Sequence, residues 1–254
     1  MSDRYEGFDY SRLISWGPRL EREWPFLDSV LRDVSPARLL DLGSGTGEHA
    51  RFLASHGFSV VGIDSSSTMI ERARASTKEE SVEFIDGDMT DAAPTAGRGF
   101  GAALCLGNAL PHLLSDDEIR RFATSARDVI VPGGPLVIQL LNYDRIEAKK
   151  ERALPLTFLR DPDDPAATII FLRAMELREG GRLIFMPTML KMKSEAEPPI
   201  EVVSSRRVEI RGWRRHELEA ALRTAGFGFV ESWGGYDRSP FVAEESRDVI
   251  LVAR

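Results

Sequence analysis

Cysteine is nearly missing from this chain. The single thiol, Cys105, lies inside an apolar run, which excludes a disulfide scaffold and reads as a buried thiol in a reducing compartment. Basic charge is also short: 33 lysines and arginines face 40 acids, for a formal charge of -7. The basic footprint that neutralises a nucleic-acid backbone is therefore absent. The one basic run, Arg206-Arg207 to Arg211-Gly212-Trp213-Arg214-Arg215, reads as a solvated strand edge and helix start. Histidine is scarce, and the 4 present form no pair at ligand spacing, so no metal site is expected. No apolar run reaches membrane-spanning length, and Met1-Ser2-Asp3-Arg4-Tyr5-Glu6-Gly7 lacks the basic start and apolar middle of a signal peptide. The expectation is a soluble cytoplasmic protein without nucleic-acid or membrane partners. Internal repeats and low-complexity blocks are absent too.

What is present starts with length. The 254 residues suit one large α/β domain or one domain with an appendage, since single cores stop growing near roughly 250–300 residues. The richest stretch is Arg38-Leu39-Leu40-Asp41-Leu42-Gly43-Ser44-Gly45-Thr46-Gly47-Glu48-His49-Ala50, an apolar strand that enters a glycine turn and then a helix. A dinucleotide fingerprint wants its third glycine where Glu48 stands, which argues against a nicotinamide-dependent oxidoreductase. With Asp41 near the strand end, the turn suits an uncharged-tailed or zwitterionic adenosine ligand lying against bare backbone.

Short apolar runs at 38–42, 59–63, 82–85, 101–106 and 136–141 read as strands. Helical patterns separate them at 48–56, at 68–75 and, behind a Ser115…Glu118 capping box, up to Ile130. Such alternation predicts a parallel, doubly wound, Rossmann-like sheet. The rhythm breaks between Asn142 and Gly212, where no amphipathic core helix is evident. Runs at 167–177 and 182–192 flank the hairpin signal Glu179-Gly180-Gly181, and 200–210 offers a third strand. A helix at 214–225 and strands at 227–233 and 248–253 complete seven strands, the last antiparallel.

The expected organisation is therefore an α/β domain from 1–142 and 213–254, with 1–35 as an N-terminal helical cover. Residues 143–212 form an inserted antiparallel β-sheet. Leaving the carboxyl end of the fifth strand, that sheet would overhang a ligand bound there. Met175, Met186, Met189 and Met192 would give it an adaptable apolar wall. It reads as a substrate lid or as a homo-oligomer contact.

Several residues have chemistry to offer. Asp64 closes the second strand about twenty residues after the glycine turn, where a carboxylate accepts ribose hydroxyls or caps the next helix. Asp88, in Asp86-Gly87-Asp88-Met89, accepts from an adenine amine while Met89 packs on the ring, or serves a plain turn.

Taken together, Leu39–Gly47, Gly62-Ile63-Asp64-Ser65-Ser66-Ser67-Thr68-Met69 and Gly87-Asp88-Met89 resemble, in order and spacing, the cofactor motifs of class I S-adenosylmethionine-dependent methyltransferases. That resemblance implies a cofactor site of Asp41, Gly43, Ser44, Gly45, Gly47, Asp64, Ser65, Met69, Asp88 and Met89, with S-adenosyl-L-homocysteine as product. A narrower likeness joins Cys105-Leu106-Gly107-Asn108-Ala109-Leu110-Pro111-His112-Leu113, Leu136–Asp144, and the tail Gly235-Tyr236-Asp237-Arg238-Ser239-Pro240-Phe241 to glycine and sarcosine N-methyltransferases. Trp16-Gly17-Pro18-Arg19-Leu20 is similar to the segment from which those enzymes give an arginine to the cofactor carboxylate. By that likeness Trp16 and Arg19 join the cofactor site, Leu106, Gly107 and Asn108 line the sulfonium end, and Asn142 faces the acceptor. The insertion has no match to a substrate-carboxylate arginine.

Read by themselves, these residues keep other roles open. Arg19 suits a surface helix charge, Asn108 a turn cap, Trp16 and Trp213 packing, and His112 a satisfied half-buried histidine as well as a base. Tyr143 is either a polar group over the reacting centre or a core lid. With no evident base motif, the expected acceptor is a small-molecule amine. An O-methyltransferase and a non-catalytic cofactor-binding partner protein stand as alternatives.

Overall fold

The computed structural model describes residues 13–254, so 1–12 of the expected N-terminal cover lie outside the described residues. Helix α1 (Trp16–Leu31) leads into β1 (Arg38–Leu42), α2 (Glu48–Ser55), β2 (Ser59–Asp64), α3 (Ser67–Ser76) and β3 (Val82–Asp86). A short α4 (Ala92–Ala96), β4 (Ala102–Cys105), α5 (Asp116–Val129) and β5 (Leu136–Leu141) follow. The capping box is formed: Ser115 Oγ accepts the Glu118 amide while the Glu118 carboxylate accepts the Ser115 amide. Beyond α6 (Tyr143–Ala148) come β6 (Thr157–Arg160), β7 (Thr168–Leu177), β8 (Arg182–Met192), β9 (Ile200–Ser205) and β10 (Val208–Arg211). Helix α7 (Arg215–Thr224), β11 (Val230–Trp233) and β12 (Asp248–Ala253) close the chain.

The main sheet has seven strands in the order β11-β12-β5-β4-β1-β2-β3. Strands β1 to β5 run parallel, and β12 lies antiparallel to both β5 and β11. Its strands alternate with period two between two cores. On one face Leu39, Ala102, Leu104, Val137, Ile250 and Val252 pack with Phe26, Leu27 and Leu31 of α1, Ala50 and Leu53 of α2, and Ile70 and Ala73 of α3. On the other, Leu40, Ala103, Cys105, Ile138, Leu140 and Leu251 meet Phe122, Ala126 and Val129 of α5 and Leu218 and Leu222 of α7.

The insertion is a five-stranded antiparallel sheet rather than the three strands expected. The run at 200–210 divides, because Arg206-Arg207 falls opposite Met186-Pro187 and proline has no amide hydrogen to continue the ladder. Strand β9 pairs with the far half of β8 and β10 with its near half. Strand β6 and the six-residue α6 are also additions to the sequence reading, being too short to show periodicity.

Four side chains fix the insertion over the carboxyl ends of the parallel strands. Trp213, 1% exposed, donates its Nε1 hydrogen to the Leu113 carbonyl at 2.9 Å. Arg214 pairs with Asp144 and Glu147 of α6, and Arg211 with Asp116 and Glu217. Leu13, just ahead of α1, is buried against Ile169 and Phe171 of β7. Arg211, Arg214 and Arg215 of the basic run all form ion pairs within the chain.

Candidate functional site

The turn from β1 to α2 is anchored where the Gly43 and Ser44 amides donate to the Ile63 carbonyl at 2.8 and 3.0 Å. Its three glycines do different work. A Cβ on Gly43 would lie 2.7 Å from the Ala109 Cβ, and one on Gly47 would lie 2.3 Å from the Phe84 ring, so both are packing glycines. Gly45, at φ +55, has nothing within 4 Å and presents bare backbone to open space. Asp64 closes this corner from β2: one carboxylate oxygen accepts the Gly45 amide at 2.8 Å and the other the Ser66 amide at 2.9 Å.

The α1 face of the main sheet is apolar until the strands reach their ligand-facing ends. There Asp41 of β1, Gln139 of β5 and Asp248 of antiparallel β12 interrupt the pattern on one face and at one end. Gln139 accepts the Gly107 amide at 2.9 Å and donates to Asp248 at 2.8 Å. Burial pushes Asp248 up, with the Gln139 hydrogen bond opposing. Asp41 is 2% exposed, and its Oδ2 has no hydrogen-bond partner among the described residues. Burial raises its pKa to about 6; His49 opposes the shift, while Asp64 and Glu48 add to it.

Helix α1 supplies the charges over this floor. Glu23, 1% exposed, accepts from Arg19 Nε at 2.7 Å through one oxygen and lies 2.8 Å from His49 Nε2 through the other. Burial alone would raise the Glu23 pKa, yet the His49 hydrogen bond and the charges of His49 and Arg19 hold it below the ordinary carboxylate value. The Arg19 guanidinium carbon lies 4.9 Å from the Trp16 ring centre, and a terminal nitrogen lies 3.7 Å from where a Cβ on Gly107 would stand. The Trp16 ring meets His49 edge-on. Both Trp16 Nε1 and the Tyr236 hydroxyl are buried without a hydrogen-bond partner among the described residues.

Across the mouth, Leu106 is buried and Gly107 exposed, while Asn108 adopts a left-handed φ of 68. Asn108 Oδ1 accepts the Leu141 amide at 3.0 Å, and its side-chain amide meets the Tyr143 hydroxyl at 3.0 Å. Tyr143 is 4% exposed, and burial pushes its phenol well up although Asn108 opposes. His112 sits half-buried on the turn Leu110–His112.

Asn142 departs from the role implied by resemblance. Fully buried, it caps α6: its carbonyl oxygen accepts the Asp144 and Arg145 amides, and its nitrogen donates to the Ala243 and Ser246 carbonyls. That leaves no group to face an acceptor. Beyond β2 and β3, Asp88 is exposed and accepts the Thr90 amide at 2.7 Å, Met89 is half-buried against the main core, Met69 is buried and Ser65 is exposed. The sequence reading missed Glu23, His49, Gln139, Tyr236 and Asp248. Gln139 carried a signal, as the one polar residue in the otherwise apolar Leu136-Val137-Ile138-Gln139-Leu140-Leu141, and Glu23 stands four residues after Arg19 on one helix face. No group of three or more metal-ligating side chains occurs among the described residues, and no helix there is long and apolar enough to cross a membrane.

A family described as a methyltransferase domain matches residues 39–134, which run from β1 through the loop before β5. With the sheet order and the glycine turn, this stretch is similar to the methyltransferase domain of class I S-adenosylmethionine-dependent enzymes. Among individual proteins, the chain is 31% identical over 154 residues to the glycine/sarcosine N-methyltransferase of Aphanothece halophytica, covering 57% of this chain and 58% of that one. The chain spans about half the length of the curated relatives it matches. Its fold is similar to that of the CcbJ methyltransferase from Streptomyces caelestis, with a TM-score of 0.71 and 24% identity over 99% of this chain and 94% of that one. It is likewise similar to CalS10, an amino pentose methyltransferase from Micromonospora echinaspora, with a TM-score of 0.70 and 22% identity over 98% and 96%.

The cofactor of this class, S-adenosylmethionine, carries a sulfonium, an ammonium and one carboxylate, and the residues present fit those charges. The buried Asp41 oxygen lacks a cation, and the terminal nitrogens of Arg19 have no hydrogen-bond partner among the described residues. Between them, Gly45 and Gly107 offer backbone with no side chain in the way.

Proposed function

We propose that the chain transfers a methyl group from S-adenosylmethionine to the nitrogen of a small-molecule amine. The reading is carried by the contrast between the two sides of the mouth. The donor side holds the buried acids Asp41 and Glu23, whereas the acceptor side presents the neutral pair Asn108 and Tyr143. When bound, the cofactor supplies a methyl group on a sulfonium that already leaves well. The chain's own work is to bind, align and keep water out, and proximity alone supplies roughly 7–11 kcal/mol in well-oriented reactions.

In this reading Asp64 takes the ribose hydroxyls, Asp88 and Met89 the adenine, Arg19 the carboxylate and Asp41 the ammonium. Gly107 and Asn108 border the sulfonium. Asn108 and Tyr143 orient the acceptor, and the inserted sheet is its lid. A neutral amine brings its own lone pair and needs no base in the transfer, whereas a hydroxyl acceptor would call on His112.

For the acceptor class, the relatives named for glycine and sarcosine are matched over about half their length, and CalS10, named for an amino pentose, over 96%. Amino sugars and glycine-type amines are therefore both acceptors to test. Incubation with methyl-labelled cofactor and a panel of amino sugars, glycine, sarcosine and their hydroxyl counterparts should label an amine nitrogen. Tight S-adenosylhomocysteine binding with no transfer to any acceptor would overturn the reading in favour of a binding protein. Label found only on oxygen would overturn the amine assignment.

A further inference from the structure

We propose that Glu23 is a positioning residue that aims Arg19 at the carboxylate of the bound cofactor. The inference rests on the methyl-donor reading above and extends it to a residue that touches no ligand itself. Glu23 bridges α1 and α2 by hydrogen bonds: one oxygen holds Arg19 on α1, the other His49 in the first turn of α2. The geometry at Arg19 is selective. Glu23 takes the Nε hydrogen, the Trp16 ring lies against the guanidinium, and the terminal nitrogens stay available beside Gly107, one of them 3.7 Å from where a Cβ on that glycine would stand. An arginine side chain otherwise samples many rotamers, so fixing it before the ligand arrives removes an entropic cost of binding.

The carboxylate is the only anionic group of S-adenosylmethionine, and its recognition by a guanidinium depends on how that fork is presented. Glu23 suits this role because its carboxyl is held below the ordinary value although buried, through its hydrogen bonds with His49 and Arg19. A second consequence concerns Trp16. Glu23 holds His49 against the edge of that indole, so the same carboxylate also sets the wall on which the guanidinium rests.

The test separates aiming from folding by comparing two ligands in calorimetry. S-adenosylhomocysteine has the amino-acid tail, and 5′-methylthioadenosine has the same nucleoside and sulfur without it. Glu23→Ala should weaken S-adenosylhomocysteine about tenfold or more while methylthioadenosine stays within about twofold. Glu23→Gln keeps an oxygen for Arg19 and should recover most of the loss, which guards against a misfolded alanine variant. In an Arg19→Ala background, Glu23→Ala should cost little further affinity, because the two act as one unit. Equal loss for both ligands, or additive loss in the double variant, would overturn the assignment and leave Glu23 a structural residue. Failure of the unaltered chain to bind S-adenosylhomocysteine would instead overturn the methyl-donor reading itself.

Discussion

Replacing Asp41 with asparagine should stabilise the ligand-free chain at neutral pH and remove a pH dependence from cofactor binding. Burial moves this carboxyl from the ordinary 3.8 to about 6, with Asp64 and Glu48 adding to the shift and His49 opposing it. The sign follows from proton counting. Between about pH 4 and 6 the unfolded chain has lost this proton and the folded chain still holds it, so stability falls as pH rises through that window. Above the window the penalty is complete. At about 1.4 kcal/mol per unit, the distance from 3.8 to about 6 corresponds to about 3 kcal/mol. For a domain of this size that is on the order of 5–10 °C in Tm. Asparagine carries no such penalty, so the advantage of Asp41→Asn should be absent near pH 4 and grow to its full value above pH 6. Urea titrations of both proteins at half-unit pH intervals measure it.

The same proton should report on the ligand. A cofactor ammonium beside Asp41 favours the carboxylate, so S-adenosylhomocysteine affinity should rise as pH rises from 5 to 7, by up to tenfold per unit below the pKa. Binding should release close to one proton, visible as a buffer-dependent calorimetric enthalpy. Asp41→Asn should bind more weakly and without that dependence. Parallel stability curves for the two proteins across pH 4–8, together with pH-independent binding by the unaltered chain, would refute the reasoning.

Two further outcomes test the neighbouring assignments. Asp64→Ala should weaken S-adenosylhomocysteine at least about tenfold, because the change removes both the proposed ribose acceptor and the anchor of the Gly45 amide; unchanged affinity removes the ribose assignment. Tyr143→Phe should slow methyl transfer without altering the pH–rate profile between pH 6 and 10, since burial keeps this phenol protonated throughout that range. Loss of a titrating limb in the variant would make Tyr143 a base and return a hydroxyl acceptor to the front.

The parallel core was legible because each of its devices is local. A period-two apolar run, the Ser115…Glu118 box and the glycine turn are read within a dozen residues, and their structural counterparts fall within a few residues of the expected bounds. The insertion was half legible: the Glu179-Gly180-Gly181 turn announced the β7–β8 hairpin, while the split at Arg206-Arg207 depends on Pro187 in a strand twenty residues away. Of the polar floor, Asp41 was read beside the glycine turn, while its assembly with Gln139 and Asp248 lay beyond that horizon. Asp41, Gln139 and Asp248 stand some hundred residues apart, and Asp248 meets the other two at one end of the sheet because β12 enters antiparallel and sets it opposite Leu141. Had β12 run parallel, Asp248 would sit at the opposite end of the sheet and Gln139 would lose the acceptor that holds its amide. The antiparallel strand thus does more than close the sheet: it carries a carboxylate to the ligand-facing end, where Gln139 links it to the Gly107 amide. Since Gly107 lies under the Arg19 guanidinium, a chain of hydrogen bonds runs from the C-terminal hairpin to the position where the cofactor carboxylate is proposed to lie.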